Sequence, residues 1–499
     1  MSWRRTNRQP TRPKPATGSK PSMAAAKAAA TSKPKPKGDR MKKVYMVTDL
    51  GPGDGGKGSV VHKLATQFKA HTIVKVGGAQ GSHGVRTTAG QSFAFSQFGC
   101  GTFEGVRTHL SHRIVIDPVG IMNEARSLRY EAGVHDPFSL LTIDKSALCN
   151  TPFHGIASRI KELALRDFPR GTIGTGVGQT FRLHESHPEL SIFARDLASP
   201  QLRQKLETIR DYITAELQPL LVGSFLKEDD EELTRNVELL TDSGFIEHVL
   251  EQFQLAAANC RVVDAEYFAT DILGCDGIIV AESSHGILTD SVAGFQPHTS
   301  ALRTLSRFTR AMFTDAGYDG GIVSLGVHRA YEIRHGAGPM PTHDPTMSET
   351  LLPGSTKDTN RWQGIVRVGP LDVVLMRYAL ATSQPDAYDG LVITWFDQVE
   401  HNGIWRYCNR YYGVNDREFF TPQGDLKVWH RNNGNQLRYQ TELTKRLHAV
   451  TPEVIETPIP HGASRDELFD FVQKILREYL NVPVRIVSFG PTERDKVLK

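Results

Sequence analysis

Cysteine is scarce in this chain. Its five thiols, Cys100, Cys149, Cys260, Cys275 and Cys408, are odd in number, far apart and never spaced C-x-x-C. That spacing implies neither a disulfide framework nor a zinc site, and it predicts reduced, mostly buried thiols. Long apolar runs are missing as well: no stretch approaches the ~18 residues that a membrane span needs, and the start lacks the charged, apolar, small-residue succession of a secretory leader. The expectation is a cytoplasmic protein with no membrane association. Acids are nearly absent from one segment only. Residues 1–43 hold thirteen Lys or Arg against a single Asp39. With the chain at +4, this tail of +12 leaves −8 for the remainder. Large apolar side chains are missing there too, so residues 1–43 are expected to form a disordered, basic, Pro/Ala/Lys-rich tail. Nucleic acid is a partner only through the charge of that tail. Its prolines break up the amphipathic helix a transit peptide would need.

The body, residues 44–499, has the makings of a sizeable core, since the chain as a whole is 39% apolar and 23% charged. VYMVTDL at 44–50 is an apolar, β-branched run ending in a glycine loop, and GSVVHKLATQFK after it has helical spacing. TIVKVG at 72–77 is a second such run, ending in a second glycine loop. Strand, loop, helix, strand, loop is the unit of a parallel sheet. The same punctuation recurs where GIIVAE precedes SSHG, LVITWF precedes DQVEHNG, and VRIVSFG precedes PTER. Polar, glycine-bearing segments thus follow strands at five places, as ligand loops do at the carboxyl ends of an open α/β sheet. The fold class expected is α/β: a single large domain around a mostly parallel sheet, with P-loop-like glycine loops at strand carboxyl ends and helical excursions. Among the latter, SRDELFDFVQKILREYL at 464–480 offers Ser464 as an N-cap with Glu467 three residues on.

The first loop, GPGDGGKGS at 51–59, nearly spells G-x-x-x-x-G-K-[ST]. Gly51, Gly56 and Lys57 are in register, but Gly58 stands where a hydroxyl should hold a metal, and Asp54 puts an acid in the middle. A carboxylate about 4 Å from a phosphate charge is repelled by roughly 4 kcal/mol at an effective dielectric near 20. Asp54 offsets that either by coordinating Mg²⁺ bridged to the phosphates or by acting as a general base toward an acceptor. As a bare motif the loop also reads as a solvated glycine turn. The second loop, VGGAQGSHG at 76–84, adds Gln80 and His83, and a donor there could stabilise charge on a transferring phosphoryl group.

With both loops in hand the chain resembles adenylosuccinate synthetases. That family has loops of the form GDEGKGK and GGHNAGHT, which appear here as GDGGKGS and GGAQGSHG. The likeness continues in GTIGTGVG at 171–178, AESSHGILTD at 281–290, RHGAGPMPT at 334–342, RVGPLD at 367–372, ITWFD at 393–397 and SFGP at 488–491. It therefore runs colinearly through most of 44–499. The resemblance implies a ligase that uses GTP to phosphorylate O6 of IMP and lets L-aspartate displace the phosphate, giving adenylosuccinate, GDP and phosphate. It implies Asp54 as the base that takes the N1 proton and as a Mg²⁺ ligand, with the Ser82 carbonyl as another ligand, and His83 as the group that stabilises the γ-phosphoryl. It assigns Gly53, Gly55, Gly56, Lys57, Gly58, Asp397, Ser488 and Gly490 to the nucleotide. Gln80, Thr172, His285, Thr299 or Ser300, Arg334, Arg361 and Arg367 go to the monophosphate and aspartate, and a homodimer is implied.

The departures gather on substrate-reading groups. The family's arginine-rich segment appears as NRWQGIVRVGPLD, with Gly364 where an arginine is expected. Trp395 replaces a lysine, His285 a glutamine and Ile173 a threonine. Two alternatives follow. One is the family's phage branch, which makes 2-aminoadenylosuccinate from deoxyguanylate with an adenine nucleotide such as ATP; it resembles a form with Ser at the catalytic Asp, which this chain keeps as Asp54. The other is a non-catalytic nucleotide-binding relative.

Overall fold

The fold is that of a computed structural model, which describes residues 42–165, 169–222, 231–351, 362–429 and 434–499. The chain divides between Arg40 and Met41. The disorder expected of the tail falls outside the described residues, except that Lys42 and Lys43, assigned to the tail by composition, open the first strand. Among the described residues no helix is long and apolar enough to cross a membrane. Cys100, Cys149, Cys260 and Cys408 are buried, Cys275 is exposed, and all five are free.

An eleven-stranded sheet carries the body. From one edge its strands run Lys496–Leu498, Val484–Ser488, Gly390–Thr394, Gly321–Arg329, Lys42–Asp49, Gly277–Gly286, Thr72–Gly78, Arg107–Ile116, Leu141–Asp144 and Arg261–Val263, with Leu148–Cys149 paired to Arg107–Ile116 off this path. Neighbours are parallel except at the Lys496–Leu498 edge. Parallel strands joined through helices are covered on both faces, so their runs are continuously apolar. Gly390–Thr394 is buried at every position; Val392 enters one core, while Leu391 and Ile393 enter the other.

This order sets six strand ends side by side: those of Val484–Ser488, Gly390–Thr394, Gly321–Arg329, Lys42–Asp49, Gly277–Gly286 and Thr72–Gly78. Three of the five expected strand–loop pairs fall as read; a fourth differs because the strand before DQVEHNG ends at Thr394 and Asp397 to Glu400 lie in the short helix Phe396–Glu400. The fifth differs, because SSHG is not a loop: it continues the strand Gly277–Gly286, held by pairing to Lys42–Asp49 and Thr72–Gly78 on its two sides. Helix Arg465–Tyr479 begins as its sequence indicates, with Ser464 and Glu467 forming a reciprocal cap.

The excursions are not only helical. Tyr331–His335, Val366–Asp372, Ile404–Tyr412 and Thr451–Pro458 form a four-stranded sheet. Its first two strands are antiparallel and set Arg334 directly across from Arg367. Only Ala330 separates Tyr331–His335 from the end of Gly321–Arg329, so this second sheet starts at the carboxyl edge of the first.

Candidate active site

The first loop is built on a buried acid just before it. Asp49 accepts the Gly51 N–H at 2.9 Å, the Gly55 N–H at 2.7 Å and the Lys57 ammonium at 2.8 Å. Burial works against its charge, but Lys57 and the Gly55 amide hold its carboxyl below the usual carboxylate range. The glycines are then matters of space. A Cβ at Gly56, where φ is 88°, would meet Thr394 Oγ1 at 2.9 Å. One at Gly58 would meet the Gly84 carbonyl oxygen at 2.8 Å and His83 Cβ at 2.9 Å. Gly58 replaces the expected hydroxyl residue because the second loop packs against the helix Lys57–Phe68 at that point.

Asp54 stands at φ 60°, a left-handed conformation uncommon outside glycine. Two neighbours fix it: Arg329 Nε donates to its carbonyl at 2.6 Å, and His335 Nε2 lies 2.5 Å from its Oδ2. Thr394 Oγ1 donates to the Gly55 carbonyl at 2.6 Å. Asp54 thus projects between the ends of the two sheets.

The second loop brings up His83. Its Nδ1 is 2.6 Å from Glu282 Oε1, and its buried Nε2 has no hydrogen-bond partner among the described residues. A carboxylate only accepts, so Nδ1 carries the proton and Nε2 is the open position. Burial holds the imidazole below its usual range, and Glu282 opposes that. Glu282 also receives Lys75 Nζ at 3.0 Å and the Cys100 N–H at 3.1 Å. Burial would raise its carboxyl, but Lys75 and His83 bring it far below the usual range. Ligand atoms of His83, Cys100 and Glu282 lie within 4.8 Å of one another, as in a metal site. The Lys75 ammonium on the same oxygen already supplies the cation there. Beside them, Ser284 Oγ accepts the Gly78 N–H at 2.9 Å and meets His285 Nδ1 at 2.6 Å. Burial, with Lys57 and His83 nearby, pulls His285 down to about 3. Gln80 keeps a buried Oε1 without a partner among the described residues, and Ser82 is exposed immediately before His83.

The arginines come from the second sheet. Arg334 donates to the carbonyls of Ala337 at 3.0 Å and His298 at 3.3 Å, and Arg367 to those of Gly336 at 2.5 Å and Gly338 at 2.8 Å. Arg334 is drawn down to about 10 by burial and then by Arg367. These two cations share one small loop and bond only backbone carbonyls among the described residues, an arrangement suited to an arriving carboxylate. Arg170 reaches the Pro297 carbonyl at 3.4 Å, and Gly171 abuts Ala337, which brings Thr172, Thr299 and Ser300 to the same neighbourhood. Thr172 Oγ1 lies 3.1 Å from Ser158 Oγ, and the Ser300 N–H donates to the Thr289 carbonyl at 2.8 Å. Arg361 lies outside the described residues.

At the other end, Asp397 follows the strand Gly390–Thr394 and accepts from Gln398 Nε2 at 2.9 Å. Ser488 Oγ donates to the Gly490 carbonyl at 2.9 Å, which Lys496 Nζ also approaches at 3.4 Å. Asp49, Glu282, Arg329 and His335 are additions that the motif reading missed. Asp49 and Glu282 had a signal, each being an acid inside an apolar run and so in need of a buried partner. His335 had none, because its contact with Asp54 spans 281 residues.

A glycine loop after the central strand Lys42–Asp49 of a mostly parallel sheet, with an acid in the loop and a histidine beside it, defines an α/β protein whose candidate site has the residue types that phosphoryl transfer uses. The chain belongs to the adenylosuccinate synthetase family, ligases that form a C–N bond; the family's profile, described as "Adenylosuccinate synthetase", matches residues 46–497. An adenylosuccinate synthetase of Bacteroides fragilis is 25% identical over 92% of this chain and 99% of its own length. One of Bdellovibrio bacteriovorus is 27% identical over 66% of this chain and 72% of its own. The fully ligated adenylosuccinate synthetase of Plasmodium falciparum shares the fold with a TM-score of 0.68 at 17% identity, over 91% of this chain and 99% of that one. The succinoaminodeoxyadenylate synthetase of cyanophage S-2L, bound to dGMP and dATP as an energy donor, aligns with a TM-score of 0.52 at 16% identity, over 92% and 96%.

Proposed function

We propose that this chain makes adenylosuccinate from IMP, L-aspartate and GTP through 6-phosphoryl-IMP, acting as a cytoplasmic homodimer. The observation that carries the reading is the open, buried Nε2 of His83, backed by Glu282 and set against the first turn of the helix that follows the phosphate loop. In the first step Asp54 accepts the N1 proton of the purine. The electron pair moves to O6, which attacks the γ-phosphorus, and GDP leaves. The charge spread over the transferring oxygens falls to Lys57, the loop amides and His83; to donate from Nε2 the imidazole must first take up a proton from solvent as the triphosphate arrives, a form that the Glu282 carboxylate favours and burial opposes. In the second step the aspartate amine attacks C6, and the C–O bond breaks with loss of phosphate. Arg334 and Arg367 hold the carboxylates of the amino acid.

The donor set fits Mg²⁺, since the Asp54 carboxylate and the Ser82 carbonyl are both hard oxygens and triphosphate oxygens would complete the shell. When bound, the ion would neutralise triphosphate charge and offset the repulsion that Asp54 otherwise imposes. The His335 contact on Asp54 Oδ2 keeps that carboxylate oriented toward the mouth between the two sheets.

The test is a matrix of IMP, GMP and dGMP against GTP and ATP, each with L-aspartate and Mg²⁺, read by mass spectrometry of the product. Adenylosuccinate from IMP and GTP is expected, and Asp54→Asn should lower it by more than about 10³-fold. A 2-aminoadenylosuccinate product from dGMP would move the chain to the phage activity. No aspartate-dependent product with any pair would overturn the proposal.

A further inference from the structure

A buried ion pair that the proposed reaction does not use lies beneath the first loop. His328, near the end of the strand Gly321–Arg329, and Glu332, on the strand Tyr331–His335, are both almost fully buried. His328 Nδ1 is 2.9 Å from the Arg329 carbonyl, and its Nε2 is 3.4 Å from Glu332 Oε2, an atom that accepts no hydrogen bond among the described residues. A carbonyl and a carboxylate only accept, so the ring carries a proton on each nitrogen and is a cation. That cation also faces the loop. A Cβ built at Gly51 would lie 3.2 Å from Nε2 and 3.4 Å from Asp49 Oδ1, so the imidazolium and the Asp49 carboxylate flank one point. Burial works against the charge, yet Glu332, the Arg329 carbonyl and Asp49 together raise His328 to about 9. The other titratable groups facing this cluster are Lys57 on Asp49, His285 beside both, and Asp372 behind Glu332 with the Tyr411 hydroxyl on it.

Lys57 has two claims on it. Among the described residues it is the only cation hydrogen-bonded to Asp49, and it is also the side-chain charge that the loop offers a triphosphate. Once the ammonium turns toward phosphate, the fully buried Asp49 carboxylate keeps two backbone amides and a weakened counter-ion. An uncompensated buried carboxylate is costly, and that cost is subtracted from triphosphate affinity. We infer that His328 is a positioning residue for phosphate binding: its imidazolium is the standing counter-charge of Asp49, which frees Lys57 to serve the triphosphate without stranding a buried acid. This rests on the nucleotide site proposed above. Glu332 keeps the imidazole protonated, and the pair acts from beneath the loop, through Asp49.

The test titrates the full chain calorimetrically with Mg²⁺ and two probes, a non-hydrolysable GTP analogue and inorganic tripolyphosphate. Buffers of different ionisation enthalpy, at one mildly acidic pH, count the protons taken up on binding. His328→Gln/Glu332→Gln removes one charge of each sign from the interior. It should weaken both probes about tenfold and bind them with about one proton more than the parent, because Asp49 then neutralises itself when Lys57 turns away. Parental affinity with a parental proton count would overturn the inference while leaving the nucleotide site standing. So would weaker binding with an unchanged proton count, which would make the pair a mere support of the loop. A second measurement needs no variant: at about pH 8, above the ordinary histidine value of ~6.5, nitrogen NMR of the free parent should show one imidazole still doubly protonated. Its absence would overturn the inference whether or not the variant folds. A parent that binds neither probe would remove the nucleotide site and the inference together.

Discussion

Glu282→Gln separates the two tasks that its carboxylate performs. Lys75 Nζ lies 3.0 Å from Oε1, and His83 Nδ1 lies 2.6 Å from the same atom. At 3.0 Å and an effective dielectric near 20 the lysine attraction alone is roughly 5 kcal/mol before desolvation is subtracted. Lys75, Glu282 and Cys100 are all buried, so the amide leaves an ammonium without its counter-charge, at a cost of about 3–5 kcal/mol. Against a typical total of about 5–15 kcal/mol that is a severe loss, and the variant should show a much lower denaturant midpoint. Low activity in this variant alone would therefore be ambiguous. Lys75→Met/Glu282→Gln removes both charges and should recover most of the stability, yet His83 would still lack the anion that stabilises its second proton. Turnover in the double variant should stay about 10²-fold or more below the parent, with the Michaelis constants much less affected. The assay pairs guanidinium unfolding with steady-state phosphate release. A double variant that regains parental turnover would show that Glu282 is only the counter-ion of Lys75, and that His83 stabilises no transferring charge.

Three further outcomes follow from the geometry. Gly58→Ser, which restores the expected phosphate-loop spelling, should cost about 1–3 kcal/mol and lower turnover, because the new side chain starts 2.8 Å from the Gly84 carbonyl oxygen and 2.9 Å from His83 Cβ; unchanged melting and kinetics would refute this. Arg367→Lys should weaken aspartate binding by about 1.5–3 kcal/mol, read as a higher Michaelis constant for aspartate at constant triphosphate affinity, and a loss of triphosphate binding instead would place Arg367 with the phosphates. Asp372 is pushed up to about 7 by burial and then Glu332, against the Tyr411 hydroxyl and the Leu375 amide. Its folded value exceeds the unfolded one, so its contribution of up to ~4 kcal/mol is present below about pH 4 and lost as pH rises through about 7. Urea unfolding at pH 5 and pH 8 should then differ less in Asp372→Asn than in the parent, and equal differences would refute the assignment.

What could be read in the sequence was local. The strand, loop and helix around Asp54 are consecutive, and their apolar runs and glycines mark them. What could not be read depends on partners far along the chain. Gly321–Arg329 pairs with the first strand and supplies Arg329, yet its run GIVSLGVHR is broken by Ser, Gly and His and gives no clean strand signal. Those small and polar residues are tolerated because both neighbouring strands satisfy its backbone. The four-stranded sheet is hidden for a related reason, since Tyr331–His335 pairs across an intervening segment with a strand that contains Pro370. His285 reads as a loop residue, and the structure sets it inside a paired strand.

The same division explains why the chemistry is easier to read than the ligands. Each group proposed to handle phosphate is locked by packing against backbone or a buried charge: Gly56 by Thr394, Gly58 by the second loop, Lys57 by Asp49, His83 by Glu282. The arginines have no such constraint. Arg334 and Arg367 bond carbonyls of a single glycine loop, Gly336 to Gly338, that a rearranged neighbour could also present. The proposed amino-acid site can thus be rebuilt from other side chains with less disturbance than the proposed transfer centre. The two halves are not independent, however, because the acid of the phosphate loop meets the second sheet directly through His335.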